Sequence, residues 1–322
     1  MSLLPVMSAH QLPLCPPQRR WLIEPLWMND AVGIVGGEPK CTKSFLALHM
    51  AVAVASGTPC LRRYAVAASG RVLLYAAEDA LHVVRQRLEG IARATHLELH
   101  SLDIQVITAP SLRIDVADDC RRLARTVAHL EPRLLILDPF IRLARIDENV
   151  SHQVAPVLAF LRDLQRQHHL AIAVVHHARK GAGNARAGQA LRGSSEFHAW
   201  GDSNLYLRRK GDRICLSIEH RAAASHGGIP LRLVSNGPHA ALEIDDRPPP
   251  TEPEPDETPE QRTLKVLSAA QNALGFKELR RTCHIRTSTL CEVLASLTRD
   301  GRVLKSKAGY TIVQTQSERS RT

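Results

Sequence analysis

Aromatic residues make up only 4% of this 322-residue sequence: three Trp, four Tyr and five Phe. So sparse a supply argues against a β-sandwich built around Trp and Tyr. The hydrophobic 44% is mostly Ala, Leu, Val and Ile, which suits α/β layers. Acid is short as well: 32 Asp and Glu face 42 Lys and Arg, a formal charge of +10. An excess of that size favours a polyanion partner, which releases counterions on binding. The seven cysteines include no C-x-x-C pair and no Cys/His run at zinc spacing, which excludes a structural zinc site. They read as reduced thiols of a cytoplasmic protein, mostly buried. The longest apolar run, Phe45–Ala55, is broken by His49 and falls far short of a membrane span. Met1–Ser8 lacks the basic and apolar regions of a signal peptide. The expectation is a soluble, cytoplasmic protein with no membrane partner.

The length predicts about two domains. From about residue 31 to 246, apolar runs alternate with helical stretches. Ala31–Val35, Arg71–Ala76, Leu102–Thr108, Arg133–Leu137 and Ala171–Val175 read as strands. Lys43–Ser56, Leu81–Ala94, Asp118–Leu130 and Ser151–His168 read as helices between them. That alternation indicates a mostly parallel sheet covered on both faces. Four further strands, Asn204–Leu207, Arg213–Ile218, Pro230–Val234 and Ala240–Ile244, follow with no helix between them. They are expected as antiparallel additions at one edge. The predicted organisation is an α/β domain over residues 1–246, a Pro- and acid-rich linker over 247–261, a small domain over 262–315 and a polar tail over 316–322.

Gly37-Glu38-Pro39-Lys40-Cys41-Thr42-Lys43-Ser44 follows a strand and opens a helix, the context in which G-x-x-x-x-G-K-S/T is a phosphate loop. Backbone N–H groups and the positive helix end would meet the phosphates of ATP, with Phe45 adjoining. Lys43 would reach the β- and γ-phosphates, and the Ser44 hydroxyl would ligate Mg²⁺. Thr42 departs from the pattern, which has Gly there, and its Cβ crowds the loop if φ is positive. The run Leu134-Leu135-Ile136-Leu137-Asp138 has the Walker-B form, and Asp138 would be the second Mg²⁺ anchor. Tyr75-Ala76-Ala77-Glu78-Asp79 ends another strand in carboxylates. Glu78 is the candidate general base for water, and Asp79 the expected cap of the next helix. His176 and His177 close a further strand before a cationic stretch that holds Arg179, Lys180 and Arg186. Such strand ends are where α/β sheets place ligands.

The order of these motifs, continued by Leu191-Arg192-Gly193-Ser194-Ser195, resembles RecA-fold ATPases of the RepA-type plasmid helicase group, relatives of DnaB-type hexameric helicases. The resemblance covers roughly residues 20–245. It implies phosphate and Mg²⁺ binding by Lys43 and Ser44, a catalytic base at Glu78, a Walker-B acid at Asp138 and a γ-phosphate sensor at His177, with His176 the second choice. It also implies a homo-oligomeric ring, possibly a hexamer, whose sites are completed by a basic finger from the adjacent subunit. Arg221, in Glu219-His220-Arg221, is the best match, with Arg208 and Arg209 competing.

From Thr258 onward twelve Lys and Arg stand against five Asp and Glu. Thr258-Pro259-Glu260-Gln261 is a helix start with a cap and an N1 proline. Helices over Thr258–Ala269, Phe276–Cys283 and Ser288–Thr298, then a hairpin of Val303–Lys305 and Tyr310–Val313, resemble a winged helix-turn-helix. Arg286, Ser288, Thr289, Arg299, Arg302, Lys305 and Lys307 lie around the turn, third helix and wing, where such a fold meets DNA. The expected function is an ATP-hydrolysing, DNA-associated motor of the replicative helicase kind. The alternative is an ATP-switched DNA-binding regulator or loader that never unwinds.

Overall fold

The computed structural model describes residues 4–12, 14, 16, 20–177, 196–210, 213–237, 239–247, 258–270, 272–283, 285–306 and 308–313. The chain divides into two compact units, Met1–Asp246 and Arg247–Thr322.

The first unit opens with a small antiparallel pair, β1 (Trp21–Ile23) and β2 (Trp27–Met28), that seats the fully buried Trp27. There follow β3 (Val32–Gly37), α1 (Lys43–Ser56), β4 (Val72–Ala76), α2 (Leu81–Ala94), β5 (Ile104–Val106), α3 (Ala117–Leu130) and β6 (Leu134–Asp138). A 3-10 turn at Phe140–Arg142 leads to α4 (Ser151–His168), β7 (Ala171–His177), α5 (Glu196–Trp200) and the strands β8 (Ser203–Lys210), β9 (Arg213–His220), β10 (His226–Asn236) and β11 (His239–Ile244). One nine-stranded sheet results, in the order β11-β10-β9-β8-β3-β7-β6-β4-β5.

β3, β4, β5, β6, β7 and β8 are parallel to their neighbours among themselves, and β9, β10 and β11 add an antiparallel meander. The fold is α/β, a mostly parallel sheet extended by an antiparallel meander. The sheet buries both faces. Val35, Leu74, Ile136 and Val175 pack under α1 and α2, while Ile34, Leu73, Leu135 and Val174 pack under α3 and α4. This two-sided burial is why the parallel strands read as continuous apolar runs.

One strand differs from expectation. β8 is not an antiparallel edge strand: it runs parallel to β3, with Val35 opposite Leu205 and Gly37 opposite Leu207. It enters from α5 instead of from a hairpin, and Leu205, Tyr206 and Leu207 are buried. β3 and β8 approach closely: a Cβ on Gly33 would lie 1.7 Å from the Ser203 carbonyl oxygen. The expectation of mostly buried thiols also fails. Among the six cysteines described, Cys41, Cys60 and Cys283 are buried, Cys120 and Cys215 are half-buried and Cys291 is exposed.

The second unit holds α6 (Pro259–Ala269), α7 (Phe276–Cys283), α8 (Thr287–Arg299), β12 (Val303–Ser306) and β13 (Gly309–Ile312). Thr258 caps α6 in a reciprocal capping box: its hydroxyl accepts from the Gln261 N–H at 3.1 Å, and its own N–H donates to Gln261 Oε1 at 2.9 Å. The three helices and the antiparallel β12–β13 pair enclose Leu267, Leu279, Leu290, Leu294, Leu297 and Val303. No helix among the described residues is long and apolar enough to cross a membrane.

Candidate nucleotide site

The phosphate loop leaves β3 at Gly37 and ends at Lys43, the first residue of α1. Gly37 has φ of 157°, and a Cβ there would lie 2.4 Å from the Leu207 carbonyl oxygen, so β8 itself requires glycine. Lys40 and Thr42 both adopt left-handed backbone, with φ of 64° and 61°. The crowding expected of Thr42 is therefore present, since a β-branched residue pays for left-handed φ in contacts between its Cβ and the backbone. Its hydroxyl donates to the Cys41 carbonyl at 2.6 Å, and its own carbonyl accepts the helical N–H of Leu46 at 3.1 Å. The first-turn N–H groups of α1 lie at the mouth of this loop, where a helix has no carbonyl partners of its own for them.

Lys43 is buried, and its Nζ donates to the Glu38 carbonyl across the loop at 2.8 Å. Burial pushes its ammonium below the usual lysine value, opposed by the charges of Cys41, Asp138 and Glu78. Asp138 ends β6 on the α1 face of the sheet and is buried. Its carboxyl is pushed up to about 6, chiefly by burial, against a hydrogen bond from the Ser44 side chain and the charge of Lys43. Ser44 and Asp138 thus present two oxygen donors to each other, the hard set that Mg²⁺ takes. Those two residues fit the metal, and Lys43 with the loop fits a triphosphate.

Glu78 follows β4, which pairs with β6 so that Ala76 stands opposite Asp138. The Ala77 N–H donates to the Asp138 carbonyl at 2.7 Å. Glu78 is exposed, and its Oε1 accepts from Arg142 Nε at 3.0 Å. Asp79 is not the cap of α2: Ala80 takes that position without a side-chain bond, and Asp79 pairs with Arg87. The Arg87 guanidinium, nearly two turns into the following helix, takes that carboxylate instead. Arg87 also lies over the Phe45 ring, 5.1 Å from its centroid, which places Phe45 beside the site in the first turn of α1.

The alternation of β7 separates the two histidines. His176 continues the face of Ile172 and Val174, is 1% exposed and packs against Phe197 and Phe140 at ring separations of 4.3 and 5.8 Å. His177 continues the α1 face of Ala173 and Val175 and stands opposite Gly37, where the loop begins. Arg209, at the end of β8, donates to the Lys40 carbonyl at 3.3 Å, so it borders its own chain's loop. Arg221 lies beyond the other end of β8, past the Ser203–His220 pair. Its guanidinium is engaged by the Ala199 carbonyl and by Asp202. Arg179, Lys180 and Arg186, with Leu191–Ser195, lie outside the described residues.

In the second unit Arg286 precedes α8 and is exposed, as are Ser288 and Arg299, while Thr289 is half-buried. Arg302 pairs with Glu260 at 2.6 Å, and Lys305 Nζ lies 5.8 Å from the Tyr310 ring centroid. Lys307 lies outside the described residues. Arg142 was not legible in the sequence, because it stands in no motif and meets its partner only through the sheet, whereas Arg209, expected as a competing finger, borders its own chain's loop instead.

A crystal structure of the RadB recombinase aligns over 68% of this chain and 92% of its own, at 16% identity and a TM-score of 0.49. A family model described as the AAA domain matches residues 3–183. With a phosphate loop, a strand-end Walker-B acid and more than half of its length matched, the chain belongs to the AAA domain family of P-loop ATPases.

Proposed function

We propose that this protein is a homo-oligomeric, DNA-associated motor that hydrolyses ATP, of the kind found in replicative helicases. The observation that carries the hydrolytic half is the side-chain bond between Ser44 and Asp138, with Lys43 and Glu78 close enough for their charges to act on Asp138. In this reading Gly37, Glu38, Pro39, Lys40, Cys41, Thr42, Lys43, Ser44 and Phe45 form the nucleotide cradle. Ser44 and Asp138 hold Mg²⁺, which supplies charge neutralisation at the transferring phosphate. Glu78 orients and deprotonates the attacking water, and His177 meets the γ-phosphate end of the site. A neighbouring subunit completes it with a basic finger, Arg221, with Arg208 and Arg209 as alternatives.

The DNA half is supported by charge. Read as a winged helix, the second unit would meet DNA through Arg286, Ser288, Thr289, Arg299, Arg302 and Lys305, with Lys307 from the sequence, and Arg179, Lys180 and Arg186 would add contacts from the first. The Pro-rich segment expected as a tether over 247–261, of which Thr258–Gln261 instead caps and opens α6, would keep the two activities on one molecule and raise their local concentration. The protein acts in the cytoplasm.

The test is the ATPase rate of the full chain with and without single- and double-stranded DNA, beside a size measurement with ATP. DNA stimulation and a ring-sized assembly are expected, and Lys43→Ala abolishes turnover while the fold survives. A monomer without DNA stimulation would discard the motor. Stimulation without displacement of a strand from a forked duplex would select the regulator or loader instead.

A further inference from the structure

Arg87 joins the two halves of the nucleotide site. It stands nearly two turns into α2, half-buried, and its guanidinium pairs with Asp79, the residue after Glu78. The same guanidinium lies over the Phe45 ring, and Phe45 follows Ser44 in the first turn of α1. One side chain thus spans from the phosphate-loop helix to the turn that carries the candidate base. That turn lacks the usual fixtures of a helix start. Ala80, the residue before α2, makes no side-chain cap, and the first turn of α2 holds no acidic residue. On the strand side, the Ala77 N–H donates to the Asp138 carbonyl at 2.7 Å. Glu78 therefore sits between two fixed points, a backbone bond at Ala77 and an ion pair at Asp79. The ion pair is shielded: the Arg87 and Asp79 side chains are 26% and 30% exposed, and the Phe45 ring lies against the guanidinium. A partly desolvated guanidinium that stacks on a ring and bonds a carboxylate is fixed in two directions at once.

We propose that Arg87 is a positioning residue which, through Asp79, locks the Glu78 turn to α1 and sets where the Glu78 carboxylate stands relative to Ser44 and Asp138. The inference rests on the proposed hydrolytic role of Glu78. Arg87 itself meets neither the nucleotide nor the attacking water. Its effect is geometric, and geometry is costly here, because a displacement of about 1 Å at a reacting group lowers a rate by up to about 10²-fold. Removing Arg87 does two separable things. It frees the turn, and it leaves the Asp79 charge unneutralised where that charge acts on Asp138. Removing Asp79 as well abolishes the second effect and keeps the first.

The test follows ATP turnover with Mg²⁺ by the full-length protein. Arg87→Ala is expected to lower kcat by roughly five- to thirtyfold, a part of what a full 1 Å displacement costs. KM for ATP should stay within about threefold, because every cradle residue remains. Asp79→Asn should fall to the same level, and the double variant should be no slower than either single one, since each breaks the same link. Arg87→Lys keeps the charge without the planar stack and should recover only part of the rate. An Asp79→Asn variant with the wild-type kcat overturns the proposal, as does an Arg87→Ala variant whose KM rises while kcat holds. A double variant that regains the wild-type kcat also overturns it, by tracing the loss to the stranded Asp79 charge. Should Arg87→Ala lose the native tryptophan fluorescence, Asp79→Asn and Arg87→Lys carry the test under the same criteria. Glu78→Gln separates the two levels. Normal turnover in that variant removes the base assignment and this inference with it, whereas a dead Glu78→Gln beside an unaltered Arg87→Ala removes the positioning role alone.

Discussion

Thr42 holds a left-handed backbone, with φ of 61° and ψ of 26°, at the residue before α1. Left-handed backbone costs an L-residue about 1–2 kcal/mol, and a β-branched side chain lies at the upper end. Thr42→Gly removes that cost and adds back the greater entropy of a glycine in the unfolded chain, about 0.5–1 kcal/mol. The hydroxyl bond to the Cys41 carbonyl, 2.6 Å and one residue away, is local and exchanges readily for water. The net expectation is stabilisation of the first unit by roughly 0.5–1 kcal/mol. Thr42→Ala keeps the Cβ, so it should gain nothing. Trp21, Trp27 and Trp200 all belong to Met1–Asp246 and are the three tryptophans of the chain, so their fluorescence reports that unit alone. With a urea slope of about 2–3 kcal/mol/M, the midpoint should rise by roughly 0.2–0.5 M for the glycine variant. A glycine variant no more stable than the alanine variant would refute the argument that strain resides in this residue.

Other substitutions probe the frame that carries the site. His49 on α1 is buried, its Nε2 accepts the Leu242 N–H at 2.8 Å, and burial pushes its pKa down to about 3. A depressed histidine lends stability that is present above its ordinary value of about 6.5 and is lost as pH falls from there toward 3. His49→Gln should flatten that acid limb, and His49→Leu should cost about 1–3 kcal/mol by orphaning the Leu242 N–H. Urea midpoints at several pH values check both, and parallel pH profiles for wild type and the glutamine variant would contradict the assignment. Arg162 pairs with both carboxylate oxygens of Asp202, donates to the Trp200 carbonyl and lies 5.8 Å from the Trp200 ring centroid. Arg162→Ala should destabilise the unit by about 3 kcal/mol, since it leaves Asp202 to the more exposed Arg221, and Asp202→Asn in that background should recover part of it. Gly33→Ala forces a Cβ to 1.7 Å from the Ser203 carbonyl oxygen, so a loss above about 4 kcal/mol or failure to fold is expected on thermal melting.

The long helices were legible because their limits are chemical. Lys43–Ser56 begins at the phosphate loop and ends at Gly57, whose φ of 77° is a left-handed stop, and Thr258-Pro259 announces α6. The pairs β1 and β2 and the five-residue α5 escaped because each is too short to show a period. The direction of β8 escaped for a different reason. Apolar runs reveal a strand but not its sense, which here follows from the passage through α5. In the site, Lys43, Ser44, Glu78 and Asp138 were readable because strand-end position and residue type together confine their chemistry. The distinction between His176 and His177 was present in the parity of β7, Ile172 and Val174 against Ala173 and Val175, and needed only the sheet faces to decode it. Arg142 could not be found this way, since an arginine beside a strand end is ordinary until its partner is placed.

The neighbours of β3 bear on how the chain is made. β3 emerges early, yet its partners β7 and β8 begin at Ala171 and Ser203, well over a hundred residues later. At ribosomal speeds of about 5–20 residues per second, the strand that carries the phosphate loop waits roughly seven to thirty seconds for either flank. During that interval its apolar run Val32–Val35 has no neighbouring strand to pair with, while β4 and β5 can already pair with each other. The nucleotide pocket is thus among the last parts of the unit to assemble on the ribosome. Nascent chains stalled before Ser203 should be held by chaperones, and only those extended past Lys210 should gain protection from ATP.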